Sequence, residues 1–321
     1  MGKFDQCEIF KEASLAKRKF KPIIIILFFI LVFDIGSGIQ GIICTPFIAK
    51  WTMELLPRIN EIFDIENASL SDLFAIAANM PPYVMIPMLF ATVGTTIITM
   101  LFVTKIERRS LASMGFFKKK LPLGYPVGYV LGGMIMILSA LVCLIFKGID
   151  IVSGNINFYI ILYFFGYVVQ GMSEEVLCRG FLLVSLRNSM KNKNATLIAV
   201  LISSLAFALL HSINPGMTLL SMFNLFLSGL FFAFLMLRFD NLWVPCAAHS
   251  AWNFFQGHVL GSQVSGLESQ SSFLISKQVG NKLFHGGSFG FEGSLAITIV
   301  LIIGITLLVV IPGNMNKGGT K

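Results

Sequence analysis

The apolar positions of the chain form eight long blocks separated by short polar stretches. A helix of about twenty apolar residues crosses a bilayer. Windows of that kind fall at 23–45, 81–104, 125–146, 157–186, 195–212, 217–237, 242–260 and 294–312. The fifth and seventh blocks are short or interrupted by polar residues. The pattern predicts an all-α fold, a polytopic transmembrane helix bundle of about eight spans.

The composition excludes two broad classes of protein. Of 321 residues, 55% are hydrophobic and 12% are charged, and the mean hydropathy is +0.81. Soluble domains carry about 25% charged residues, and disordered chains are poorly hydrophobic. The net charge of +8 is scattered over short loops, so it predicts no nucleic-acid partner. The predicted surroundings are the lipid bilayer, and the predicted location is the cell membrane, as a multi-pass protein.

The basic residues predict the orientation of the spans. An even number of spans puts both termini on one side. Eighteen of the 24 Lys and Arg residues then lie on that side, and five lie on the other. Because cytoplasmic loops are enriched in Lys and Arg, both termini are predicted to be cytoplasmic.

The spans divide the chain into three predicted regions. Residues 1–156 form an N-terminal membrane region of about three spans, with an external loop at 50–80 that contains a short amphipathic helix. Residues 157–312 form a second membrane region with an external loop at 258–293. That loop is rich in Ser, Gly and Gln, so irregular structure is expected, with His258 and His285 in solvent. Residues 313–321 form a cytoplasmic tail.

Ionisable and amide side chains occur inside the predicted spans, where each charge costs about 2.5–3.5 kcal/mol on insertion scales. Four segments carry them, namely Glu174-Glu175-x-x-x-Arg179, Phe207-x-x-x-His211, His249-x-x-x-Asn253 and a single Asp34. Residues four apart share a helix face, so an ion pair between Glu175 and Arg179 is expected. Glu174 points about 100° away from Glu175, toward another neighbour.

The predicted depths of Glu174, His211 and His249 in the membrane can also be compared. Glu174 and His211 each lie 18 residues from the turn at Asn192-Lys193, which is about 27 Å along each helix. His249 lies about 15 Å from the next cytoplasmic turn. The three side chains are therefore level if the hairpin tip at 187–195 extends about 10 Å into the cytosol.

A carboxylate and two imidazoles at one level indicate water activation, by either of two routes. In the first, Glu174, His211 and His249 bind a divalent metal such as zinc, which lowers the pKa of a bound water. In the second, Glu174 and His211 act on the water directly, and His249 and Asn253 donate hydrogen bonds to the developing oxyanion. The residues alone leave both routes open.

A structural explanation competes with these catalytic ones. Within membranes, Glu–Arg pairs and single His or Asn residues often hold helices together through interhelical hydrogen bonds. Three such motifs on neighbouring spans favour a functional site over this explanation.

At these residues the chain resembles the CAAX-protease and bacteriocin-processing family of intramembrane proteases, also called the Abi family. The family pattern is EExxxR, then FxxxH, then HxxxN or HxxxB, and here the motifs follow in that order. The stretch GGSFGFEGS before the last block is similar to a segment of bacterial members. The resemblance covers about 165–312, and Cys178 stands where the family often has Phe.

The resemblance implies an intramembrane endopeptidase similar to type II CAAX prenyl endopeptidases, acting on a membrane protein or peptide. Its site residues would be Glu174, Glu175, Arg179, His211, His249 and Asn253. Glu174 would be the catalytic carboxylate, and Glu175 and Arg179 would support it. The main alternative is a non-catalytic membrane immunity or scaffold protein that binds a peptide or partner. A proton or cation path is a third hypothesis, disfavoured because the two halves show no paired broken helices.

Overall fold

The computed structural model describes residues 2–58, 76 and 78–311. Most of the predicted external loop 50–80 lies outside the described residues. The predicted cytoplasmic tail 313–321 lies outside them entirely.

The described residues are mostly helical, and a helix covers each of the eight predicted spans. The helices are α1 Glu8–Ser14, α2 Pro22–Leu55, α3 Pro82–Ile106, α4 Lys118–Ile145, α5 Tyr159–Ser189, α6 Ala195–Leu210, α7 Leu219–Phe239, α8 Trp243–Phe254, α9 Lys282–His285 and α10 Leu295–Val310. By length and composition, α2, α3, α4, α5 and α7 can each cross a membrane, while α6 and α10 are shorter apolar helices. The chain is thus a multi-pass membrane protein.

A small sheet departs from the all-α prediction. Strand β1, Ile149–Ser153, pairs antiparallel with strand β2, Leu274–Gln278, and Ile149 lies opposite Gln278. The expectation of irregular structure throughout 258–293 was therefore wrong. The segment as a whole is rich in Ser and Gly, and this composition obscured the five residues of β2, which pair with the β-branched residues of β1. The pairing fixes the loop 258–293 to the connection between α4 and α5.

The expectation that His258 is solvated was also wrong. Its side chain is fully buried and stacks on the Tyr163 ring, with ring centroids 4.1 Å apart. Beyond α8 the helix continues as a π-helical segment, Phe255–Val259, and this carries His258 against α5. His285 is half-buried, and burial, together with the Lys282 ammonium, lowers the pKa of its imidazole.

The N-terminal segment packs against the bundle. The Asp240 carboxylate, just after α7, accepts hydrogen bonds from the backbone N–H groups of Glu8 (2.8 Å) and Ile9 (3.1 Å) at the start of α1. The Cys7 thiol donates to the Leu237 carbonyl (3.4 Å), and burial raises its pKa to about 12. All five cysteines are buried and free. The first residues therefore hold the end of α7 in place.

Helices α4 and α8 approach closely enough for their backbones to touch. A Cβ atom added at Gly132 would lie 2.0 Å from the Ala248 carbonyl oxygen, and one at Gly128 would lie 2.1 Å from the Val244 carbonyl oxygen. Small residues allow such contact between membrane helices. This contact sets the position of α8, which carries His249 and Asn253.

Replacing Gly132 by Ala should therefore destabilise the protein. The new methyl group meets a backbone atom that cannot turn aside, and overpacking of this kind costs about 1–3 kcal/mol. The measurement is the thermal unfolding midpoint in detergent. The control is Gly38→Ala in α2, because no atom lies within 4 Å of a Cβ added there. Equal midpoints for the two variants would show that α4 and α8 are not in backbone contact.

Candidate active site

Three helices bring together the side chains of the three sequence motifs. Glu174 lies on α5, His211 at the end of α6 and His249 on α8. The Oε2 atom of Glu174 is 3.7 Å from Nε2 of His211 and 3.8 Å from Nε2 of His249. The three residues that the sequence predicts to lie at one depth in the membrane are thus neighbours in the fold.

The hydrogen-bond partner of Nδ1 determines the tautomer of each imidazole. Nδ1 of His211 is 2.9 Å from the Phe207 carbonyl oxygen, which can only accept, so Nδ1 carries the proton. Nδ1 of His249 is 3.0 Å from Oε1 of Glu175, a carboxylate oxygen that also accepts from Arg179. In their neutral forms, both imidazoles therefore direct a bare Nε2 lone pair toward Glu174.

Three acceptors consequently face one another without a donor between them. Oε2 of Glu174 is buried and has no hydrogen-bond partner in the described part of the chain. Carboxylate oxygens and bare imidazole nitrogens repel unless a proton, a water molecule or a cation lies between them. This place in the fold is therefore suited to hold a shared proton or a water molecule.

Behind His249 lies the ion pair expected from the four-residue spacing. Nη1 of Arg179 donates to Oε1 of Glu175 at 2.8 Å, and both side chains are fully buried. Nη2 of Arg179 donates to the Gly229 carbonyl on α7 (2.9 Å). A buried charge requires such compensation. The pair fixes the carboxylate that holds His249.

Aromatic rings hold the same groups from the sides. The Phe207 ring lies 4.6 Å from the Arg179 guanidinium carbon, and its backbone carbonyl holds His211. The Phe232 ring stacks on the His249 imidazole, with centroids 4.8 Å apart and an interplanar angle of 16°. Phe207 of the second motif thus orients its neighbours.

Asn253 reaches Glu174 only through a residue that the sequence analysis missed. The amide nitrogen of Asn253 donates to Oε1 of Gln170 at 2.8 Å, and the amide nitrogen of Gln170 donates to Oε1 of Glu174. Gln170 lies four residues before Glu174, so helical periodicity already places the two on one face. The spacing was the signal that could have identified it.

Two of the three helices that carry the motifs change their winding at or just after the site residues. Helix α5 becomes π-helical over Val176–Leu183, and α8 does so over Phe255–Val259. Such segments leave carbonyls free and are frequent at functional sites. In α5 the Gly180 carbonyl accepts a hydrogen bond from Nη2 of Arg109 (3.1 Å), which lies in the connection between α3 and α4.

These side chains open on a cavity of about 290 Å³. Glu174, His211, His249 and Asn253 line it together with apolar residues of α2 and α3 such as Phe33 and Met85. Among the described residues, no Lys or Arg lines this cavity. Asp34 is exposed on α2 and does not line it. The cavity therefore carries the site residues on one side, and α2 and α3 contribute both apolar and polar residues, among them Gln40 and Thr92, to the other.

Residues 156–255 match the family described as type II CAAX prenyl endopeptidase Rce1-like. Over this segment the chain is similar to the CAAX prenyl endopeptidases. The match contains every site residue of the three motifs and covers about a third of the chain. Comparisons with curated proteins and with solved structures found no match.

This similarity supports CAAX-type intramembrane proteolysis at the family level. Whether a metal fits must be judged from the residues. One carboxylate and two imidazoles are donor types that zinc accepts. Within the described residues, however, no group of three or more His, Cys, Asp or Glu side chains is placed so that it could hold a metal ion. The donor types fit a metal and their placement does not.

A second acidic residue lines the same cavity but lies beyond the family match. The sequence analysis missed it as well. Glu292 is buried, lines the same cavity and accepts a hydrogen bond from Nε1 of Trp252 on α8 (3.1 Å). It belongs to the stretch GGSFGFEGS, where a lone acid among Phe and Gly residues was the available signal.

Replacing Arg179 by Ala should strongly destabilise the protein. The substitution leaves the buried Glu175 carboxylate without its cation, which costs about 3–5 kcal/mol. Unfolding by denaturant in detergent measures the loss. The control is Arg187→Ala, since this side chain is partly exposed and its pairing with Asp5 (3.5 Å) contributes at most about 1 kcal/mol. Similar losses for both variants would contradict the assigned role of the buried pair.

Proposed function

We propose that the protein is an endopeptidase that hydrolyses a peptide bond of a membrane-associated protein or peptide within the bilayer. The observation that carries the proposal is the buried, unpartnered Oε2 of Glu174, which faces Nε2 of both His211 and His249. In this proposal, a water molecule lies between Oε2 of Glu174 and Nε2 of His211.

Glu174 and His211 would activate this water. One O–H group donates to Oε2 of Glu174 and the other to Nε2 of His211, so the oxygen lone pairs face the cavity. As the oxygen attacks the substrate carbonyl, Glu174 takes the proton and later delivers it to the leaving nitrogen. General base catalysis of this kind contributes about 10²–10⁴-fold.

His249 and Asn253 would stabilise the oxyanion. In this role His249 is an imidazolium, with Nδ1–H on the Glu175 carboxylate and Nε2–H as the donor to the oxyanion. One amide hydrogen of Asn253 is used by Gln170 and the other is available to the substrate. Removing one donor of this kind costs about 10²–10³-fold in kcat.

The placement in the cell is part of the same proposal. With both termini in the cytoplasm, the loop 258–293 and strand β1 lie on the external side of the cell membrane. The cavity is lined by helices of the bundle and by residues of that loop, Val264, Ser265, Leu267 and Glu292. In this proposal the substrate reaches it from within the lipid layer.

Replacing either Glu174 or His211 should strongly reduce turnover. We expect Glu174→Gln and His211→Ala each to lower kcat by about 10³-fold, since the water loses its base or its second acceptor. The assay uses purified protein in detergent and quenched-fluorescent peptides that end in a Cys-aliphatic-aliphatic-X sequence, with and without a prenyl group on the cysteine.

Asp34→Asn is the matched control, because it removes an exposed carboxylate of α2 that lies outside the cavity. It should retain full activity. Wild-type turnover that survives both Glu174→Gln and His211→Ala would refute the proposal. A cellular phenotype that survives Glu174→Gln would instead support a non-catalytic immunity or scaffold role.

Chelation separates the two routes of water activation. Because the three side chains are not placed to hold an ion, we expect activity to persist after dialysis against EDTA, with less than one divalent metal per chain by elemental analysis. Activity that disappears with EDTA and returns with zinc would instead assign Glu174, His211 and His249 as metal ligands.

A further inference from the structure

The Glu292 carboxylate is the strongest polar feature outside the three motifs. It accepts four hydrogen bonds, from Nε1 of Trp252 (3.1 Å), Nε2 of Gln256 (3.4 Å), and the backbone N–H (2.7 Å) and hydroxyl (2.9 Å) of Ser265. All four partners donate, so both carboxylate oxygens act as acceptors. No salt bridge joins it to a Lys or Arg in the described part of the chain.

Two of these donors belong to the helix that carries the proposed oxyanion donors. Trp252 is the neighbour of Asn253, and its indole packs edge-on against the Phe232 ring, with centroids 5.7 Å apart. The same Phe232 ring stacks on His249. A change in the orientation of Trp252 would therefore move the Phe232 ring and, through it, the His249 imidazole.

The other two donors belong to a turn that forms the cavity wall. Val264, Ser265 and Leu267 line the cavity, and a backbone bridge joins Val264 to Leu267. Ser265 has a φ of 49°, in the left-handed region that non-glycine residues seldom adopt. Both hydrogen bonds to Glu292 hold this residue in that conformation.

The backbone of Glu292 is itself anchored. The amide nitrogen of Asn224 on α7 donates to the carbonyls of Glu292 (2.8 Å) and Ser294 (2.9 Å). The carboxylate is thus a fixed point between the turn 264–267 and helix α8.

We infer that Glu292 is a positioning residue that sets both the substrate-facing wall and the oxyanion side of the site. One oxygen, Oε1, acts through Trp252 on His249, and the other, Oε2, holds the turn 264–267 over the cavity. The inference rests on the proposed peptidase function, because it assigns Glu292 an effect on substrate binding and turnover.

The test separates the effects of the two carboxylate oxygens of Glu292. Trp252→Phe removes the indole donor together with part of the buried ring, and it should lower kcat about tenfold with KM unchanged. Ser265→Ala removes only the hydroxyl donor, and it should raise KM about threefold with kcat unchanged. Glu292→Gln retains one acceptor oxygen in place of two, and it should change both parameters, with KM raised about tenfold.

Glu268→Gln is the matched control. It makes the same change of charge in the same loop, but its side chain is exposed, so both parameters should equal those of the wild type. A binding measurement is independent of turnover. In a Glu174→Gln background, fluorescence anisotropy of the same labelled peptide should show that Glu292→Gln weakens binding about tenfold.

The outcomes separate this inference from the proposed function. No turnover by the wild type would defeat the peptidase proposal, while binding by the Glu174→Gln background still tests the role of Glu292. With an active wild type, equal KM and kcat for Ser265→Ala, Trp252→Phe and wild type would overturn the inference. So would a uniform fall in kcat for all variants, which is the mark of a merely structural role.

Discussion

The structure depends on the compensation of charge in an apolar bundle. Glu175 and Arg179 are fully buried, and each is tolerated only because the other lies 2.8 Å away. The same Glu175 oxygen holds Nδ1 of His249. One ion pair thus fixes the tautomer of an imidazole on another helix, and through it the arrangement of acceptors around Glu174.

Close packing gives this electrostatic arrangement its precision. The glycines of α4 let α8 lie against it at backbone distance, and this sets where His249 and Asn253 enter the cavity. The rings of Phe207 and Phe232 then remove the remaining rotational freedom of the polar groups. Polar contacts select the partners, and apolar contacts fix their geometry.

The sequence predicted the positions of the helices and the meeting of Glu174, His211 and His249, because hydropathy and helical rise depend on local spacing. It missed contacts that depend on distant segments. Glu292 meets Trp252 across 40 residues, and β1 pairs with a strand more than a hundred residues away. The number of spans that cross the membrane and the side of the termini stay predictions, since both depend on a bilayer around the bundle.

The π-helical segments have a consequence for the spacing of the motifs. A π-helical turn accommodates one more residue than an α-helical turn. The wide turn over Val176–Leu183 therefore absorbs one extra residue, and the side chains before and after it keep their faces of the helix. A residue inserted or deleted in a regularly wound part of α5 would instead rotate every side chain beyond it by about 100°.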